Sequence, residues 1–374
     1  MRKTILILLI LMGLVPLLFS QYEGGSAAGF RTTQYGTHKS VLFLLSTDAD
    51  RIAEMEEPGL EAFRRSVIGF WCGAQVALDE FAAEGRDLKV IVRDINPGDN
   101  AKLDLLFSEP EIQHVDLVVA AVAKNLFPKV AEYADQLQIH VINPFSTDSS
   151  IVLNHPYVCK MQPPMVTRPA IVRGYFAGAN FILWGDTISP TPDWAVYEKF
   201  FNEKRIPYHR LTAPADFAPY LSSTKPNVVI AGTQAPSNFT QAIKELKRHA
   251  KLPAFSWIIP ESIITDDNFD IQMLKTMNIY FFSNNFVNPD TQENESFIYK
   301  YYEKFNALPS LGSFAYQGYD ITRIFIERLY TNLSETNPLS YSFKLIKREN
   351  GGQENVGVRF VQMKNLQYNI ITPE

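Results

Sequence analysis

Residues 41–46, VLFLLS, are apolar without a break, as a strand buried on both faces must be. Between Phe63 and Phe81 the periodicity changes: Val67, Phe70, Trp71, Ala74, Leu78 and Phe81 recur at helical spacing. LKVIVRD (88–94) is a second strand, closed by Asn96-Pro97-Gly98, and VDLVVAA (115–121) a third, with a helix from about Asn125 to Gln136 behind it. HVINPF (140–145) is the fourth. The rhythm breaks at YVCKMQPP (157–164) and begins again with ANFILWG (179–185), PYHRLTA (207–213), NVVIAG (227–232), LPAFSWII (252–259) and NIYFFSNNF (278–286). Two helices follow, near 292–306 and 313–330, and the tail reads as antiparallel strands around Gly351-Gly352. Apolar strands that alternate with helices predict an α/β protein with parallel sheets covered on both faces. The repeat of the series predicts two similar lobes with a ligand cleft between them.

At 374 residues and 46% hydrophobic content the chain suits two domains with full cores. The first twenty residues, MRKTILILLILMGLVPLLFS, carry a basic start, an apolar run and a small Ser20. This is the order of a cleavable secretory signal, and residues 21–37 read as a flexible linker after it. A retained anchor is the alternative, although the apolar run is short for a membrane span. The formal charge is −5, and loss of Arg2 and Lys3 with the leader makes it two units more negative. Such a balance gives no electrostatic reason to bind nucleic acid or anionic lipid. Cys72 and Cys159 are the only cysteines, too few for a disulfide framework, and are read as unpaired thiols.

Catalytic constellations are missing. No pair of the six histidines has HExxH or i,i+4 spacing, there is no GxSxG elbow, and no glycine loop is built to cradle phosphate. Asp48, Asp50, Asp266 and Asp267 sit in loops where carboxylates are ordinarily solvated. Trp184 and Trp257 belong to apolar strands, and core packing is the simpler reading of both. The expectation is a protein with no catalysis, no cofactor and no metal.

HVINPFSTDSS (140–150) starts as a core strand and empties into hydroxyls and a carboxylate. In open parallel sheets ligands sit at such strand ends, although a capped turn uses the same residues. The order of elements, with GAQVALDEF, LKVIVRDINPGDN, DFAPYLSSTKPNVVIAG and FAYQGYDI, resembles the type I periplasmic binding protein family, in its leucine/isoleucine/valine-binding-protein-like branch. The ending NGGQENVGVRFVQ is similar to envelope-associated members from Bacteroidetes. The resemblance implies two Rossmann-like lobes, 38–156 plus 286–332 and 157–285 plus 333–374. They would be joined by crossovers near 156–158, 285–287 and 332–334 and hinged to close on a small ligand. It further implies that Ser146 and Thr147 hydrogen-bond a ligand carboxylate, with Phe145 at the cleft wall, and that Glu261 receives the ligand ammonium. Trp194 and Thr233 fall near its aromatic contacts, and Ser46 and Thr47 end the first strand at the cleft. Lys124 and Asn125 stand where the family has a serine-rich loop, and Asn125 serves equally as a helix cap.

What the resemblance implies is a periplasmic solute-binding protein that captures a small polar ligand, amino-acid-like or other, for an ABC-type importer. The alternative is an envelope regulatory or structural protein that uses the same fold to bind a protein or cell-wall partner. In either case no nucleic acid is involved, and the chain does not span the membrane after signal cleavage.

Overall fold

The computed structural model describes residues 38–47, 58–185, 192–212, 217–233, 235–249, 255–266, 269–309, 314–331 and 337–371. The expected leader and linker, Asp48, Asp50, Asp267 and the crossover placed at 332–334 lie outside them. In the first half β1 (Lys39–Leu45) leads through α1 (Pro58–Ala83) to β2 (Leu88–Asp94). Next come α2 (Asn100–Ser108), β3 (Leu117–Ala121), α3 (Phe127–Leu137), β4 (His140–Asn143) and β5 (Val158–Lys160). The second half repeats the scheme with α4 (Arg168–Tyr175), β6 (Asn180–Trp184), α5 (Pro192–Glu203), β7 (Tyr208–Leu211) and β8 (Asn227–Ala231). It continues with α6 (Pro236–His249), β9 (Phe255–Ile258), the single turn α7 (Glu261–Ile264) and β10 (Asn278–Ser283). The chain then runs through α8 (Gln292–Phe305), α9 (Phe314–Tyr330), β11 (Leu345–Lys347), β12 (Gln353–Asn355), β13 (Arg359–Lys364) and β14 (Gln367–Ile371).

Two seven-stranded sheets result, in the orders β11-β12-β5-β4-β3-β1-β2 and β14-β13-β10-β9-β8-β6-β7. Strands β1 to β5 pair in parallel, as do β6 to β10, while β11, β13 and β14 add antiparallel partners. Alternation along each strand sends neighbouring side chains to opposite faces. Val41, Phe43 and Leu45 pack under α1 and α9 with Phe70, Ala74 and Phe325. Leu42 and Leu44 pack on the other face with Leu103 and Leu106 of α2 and Val130 and Ala134 of α3. In the second sheet Ile182 and Trp184 share a core with Phe239 and Trp257, whereas Phe181 and Leu183 face Trp194, Tyr197 and Phe201 of α5. Both tryptophans of the expected strands are therefore core residues.

Helices α1 and α9 touch backbone to backbone. A Cβ on Gly318 would lie 1.8 Å from the Phe70 carbonyl oxygen, and one on Gly73 would lie 1.7 Å from that of Ala315. Phe70 thus opposes Gly318 while Gly73 opposes Ala315, so the helices run antiparallel.

Sheet membership differs from the lobe bounds read in the sequence. Val158–Lys160 pairs with β4, and the Leu345–Asn355 hairpin joins the same sheet through β12 and β5. Only β13 and β14 of the tail reach the second sheet. The chain passes between sheets after Lys160, after Ser283 and after Asn355. The reason is that strands this short take their place from whichever partner they pair with, near in sequence for β5 and distant for β12. The segment 338–341 beside these passages is held from two sides. Asp320 accepts from the Leu339, Ser340 and Tyr341 backbone N–H groups and the Ser340 hydroxyl. Arg359 donates to the carbonyls of Phe286, Pro338, Leu339 and Tyr341. Both cysteines are free thiols, and burial pushes that of Cys159 up to about 12. No helix among the described residues is long and apolar enough to cross a membrane.

Candidate functional site

Asn143 ends β4, and Pro144 stops the strand because it has no N–H for the ladder. The Asn143 Oδ1 accepts from the backbone of Phe145 (3.1 Å) and of Ser146 (2.7 Å), which turns the chain sharply. Ser146 Oγ accepts from the Asp148 N–H at 3.2 Å, and Asp148 accepts from the Ser150 N–H at 2.9 Å. Most of the polarity of HVINPFSTDSS therefore stabilises its own turn. Phe145 leaves that turn edge-on against Phe63, Phe70 and Phe314, with ring centroids 5.9, 5.6 and 5.2 Å away. Thr147 is exposed beside it.

The floor is made by the passages between the lobes. Gln162 Nε2 lies within hydrogen-bond reach of Pro144 O (2.9 Å), Tyr341 Oη (3.0 Å) and Gln317 Oε1 (3.2 Å). Its Oε1 accepts from Asn284 Nδ2 at 3.2 Å, and the Asn284 Oδ1 faces Arg168 at 3.4 Å. A chain of amides thus crosses from α9 to the second lobe. On the far wall Arg168 places Nη1 2.8 and 3.0 Å from the two oxygens of Asp193 and sits 5.5 Å over the Phe282 ring. Glu261 opens α7 behind Pro260. Burial pushes its carboxyl above the ordinary range, while the Ser283 hydroxyl and the more distant Arg168 hold it back.

These elements enclose a cleft of about 440 Å³ with Phe63, Phe145, Thr147 and Phe314 on one side and Arg168 and Glu261 on the other. Gln162, Gln317, Asn284 and Asn285 lie between them. A wider depression of about 1050 Å³ lies between α4 and the 356–358 passage. It brings together no such set of charged and amide side chains, so the cleft is the better site.

The structure brings Phe145, Thr147 and Glu261 together and leaves the other expected residues apart from the cleft lining. Ser146 is spent on its turn. Lys124 and Asn125 are exposed on the loop after β3, and the position before α3 is Leu126, without a side-chain cap. Ser46 is fully buried and accepts from the Ala123 N–H at 3.2 Å, tying β1 to β3. Thr47 donates its N–H to Asp94 at 2.8 Å. Trp194 is a core residue under Arg210, 4.8 Å from ring to guanidinium, and buried Thr233 accepts from the Ala235 N–H. Trp194 lies apart from the cleft lining because its ring packs over Gly232.

Sequence reasoning missed Arg168, Gln162, Asn284 and Gln317. Asn284-Asn285 ends an apolar strand, as Asn143 does, and that parallel was the available signal. Among the described residues no group of three or more His, Cys, Asp or Glu is placed to hold a metal ion.

No model of a known protein family matches the chain, and no curated protein is similar to it in sequence. Solved structures are similar in fold. A branched-chain amino acid ABC transporter protein from Rhodospirillum rubrum matches with a TM-score of 0.60 at 12% identity, covering 89% of this chain and 100% of that one. An ABC transporter substrate-binding protein from Sphaerobacter thermophilus matches with a TM-score of 0.52 at 16% identity, over 90% and 97%. Full-length LpoA from Haemophilus influenzae matches with a TM-score of 0.57 at 12% identity, over 89% of this chain and 59% of that one. With two mostly parallel seven-stranded sheets and flanking helices, the chain has the two-lobed type I periplasmic binding protein fold.

Proposed function

We propose that the protein is an exported binding protein that captures a small polar solute between its lobes and releases it unchanged, in the service of an ABC-type importer. The observation that carries this reading is the composition of the cleft. Its walls come from different lobes and its floor from the passages between them, so a ligand that touches both walls favours closure. A catalytic reading has no comparable support, since Glu261 and Arg168 are the charged groups of the lining and Arg168 is paired to Asp193. The likeness to LpoA favours a second reading, an envelope protein that recognises a macromolecular partner with the same fold.

Thermal-shift screening of amino acids, amines, sugars and short peptides separates the two, because a ligand that binds only the folded state raises its melting temperature. A hit should also contract the X-ray scattering profile as the lobes close. With that ligand, Glu261→Gln should weaken binding about thirtyfold, the loss of about 2 kcal/mol that accompanies a hydrogen bond to a charged group. Thr147→Ala should weaken it less, and Ser146→Ala should leave it near the parent value, because Ser146 Oγ serves the turn. No shift from any solute, or hits that ignore Glu261→Gln and Thr147→Ala together, would move the function away from this cleft.

A further inference from the structure

Most of the donors that a ligand carboxylate needs on the lobe-one wall are already used. The N–H groups of Phe145 and Ser146 point to the Asn143 side chain, that of Asp148 to Ser146 Oγ, and that of Ser150 to Asp148. Asp148 itself stays ionised: the Ser150 N–H and hydroxyl, with Lys124 and Lys160 farther off, hold its carboxyl below the ordinary range. An anion arriving at this turn meets a carboxylate and no open nest of amides. On the opposite wall the one positive side chain, Arg168, is answered by both oxygens of Asp193. Glu261 then leaves this wall with one negative charge in excess, and among the described residues its close partner is the Ser283 hydroxyl. Across the cleft stand the rings of Phe63, Phe145 and Phe314. Aromatic faces attract cations and bury alkyl groups, and a carboxylate opposite them completes a seat for an amine.

We infer that the ligand is an alkyl or arylalkyl amine cation without a carboxylate, its nitrogen at Glu261 and its apolar group against Phe63, Phe145 and Phe314. This rests on the cleft being the ligand site, as proposed above, and departs from the amino-acid seat that the resemblance implies. The selective element is the turn at Asn143–Ser150, which spends four of its N–H groups on itself and leaves a carboxylate little beyond Thr147 to bind, at no cost to an amine.

Matched pairs test it by isothermal titration of the whole protein: 3-methylbutylamine against L-leucine, and 2-phenylethylamine against L-phenylalanine. The expected result is that each amine binds at least tenfold more tightly than its amino acid. In Glu261→Gln, shown to be folded by circular dichroism, that preference should fall at least tenfold. An amino acid that binds more tightly than its amine would overturn the inference, and so would amine affinity unchanged in Glu261→Gln. If neither pair binds while a sugar or peptide raises the melting temperature, the amine assignment fails and the binding-protein reading stands. If no solute of any class binds, both fail. The comparison within each pair is made on the parent protein, so it decides the matter even if the variant does not fold.

Discussion

Gly318→Val should leave the protein about 3–5 kcal/mol less stable than the parent, a loss at the upper end for one added side chain in a packed core. The added Cβ would meet the Phe70 carbonyl oxygen at 1.8 Å and its carbon at 2.7 Å. Those atoms belong to the α1 backbone and cannot swing aside, so α1 and α9 must part. Parting them opens the contacts among Phe70, Ala74, Ile321 and Phe325 that cover the first sheet. The neighbouring Gly69 gives the internal comparison. A Cβ there meets Phe314 Cβ at 3.7 Å, an ordinary contact. Gly69→Ala should therefore gain about 0.5–1 kcal/mol from helix propensity alone. Urea midpoints of the two variants should move in opposite directions. Midpoints that move together would mean that the helices do not approach this closely.

The two series of strands were legible because burial on both faces removes polar residues from a strand and leaves an unbroken apolar run. Residues 41–45 of β1 and Leu117–Ala121 are such runs, and both strands lie in the sheet interior. The assignment of Val158–Lys160 and Gln353–Asn355 to the first sheet was not legible. Three residues carry no periodicity: Val158–Lys160 takes its place from β4, and Gln353–Asn355 from Val158–Lys160, across almost two hundred positions of sequence. The cleft shows the same division. Phe145, Thr147 and Glu261 follow apolar strands and announce themselves as strand ends. Gln162 and Arg168 sit in a passage whose sequence, KMQPPMVTR, shows only that a regular pattern has stopped. Ser146 illustrates a further limit: a hydroxyl at a strand end looks the same in sequence whether it faces a ligand or the N–H two residues on.

Glu354→Gln should cost about 3–5 kcal/mol, because it strands a buried ammonium. The Lys160 Nζ and Glu354 Oε1 are 2.9 Å apart, and neither side chain has any exposure. Ser149 Oγ donates to the same oxygen at 2.6 Å, and Arg348 Nε donates to the other at 2.7 Å. With the carboxylate gone, Lys160 keeps the Gln162 carbonyl and loses its counter-charge. Replacing both members, Lys160→Met with Glu354→Leu, should therefore cost less than Glu354→Gln alone, since no buried charge is left over. The pair also has a pH signature. Burial alone would push the Glu354 carboxyl up, but hydrogen bonds from Ser149, Lys160 and Arg348 hold it below its ordinary value. A carboxyl depressed in the folded state contributes stability in full above the unfolded value of about 4.3 and loses it as pH falls through the folded value. The stability gap between parent and Glu354→Gln should accordingly be constant from about pH 6 to 7 and shrink below about pH 4. Urea titrations across that range check the sign, and a gap that stays flat or widens in acid would show that the pair is not the source. The same bonds run from Ser149, two residues past Thr147, to Gln162 on the cleft floor. Loss of the Glu354 carboxylate should therefore weaken any ligand held at Thr147 as well as the fold.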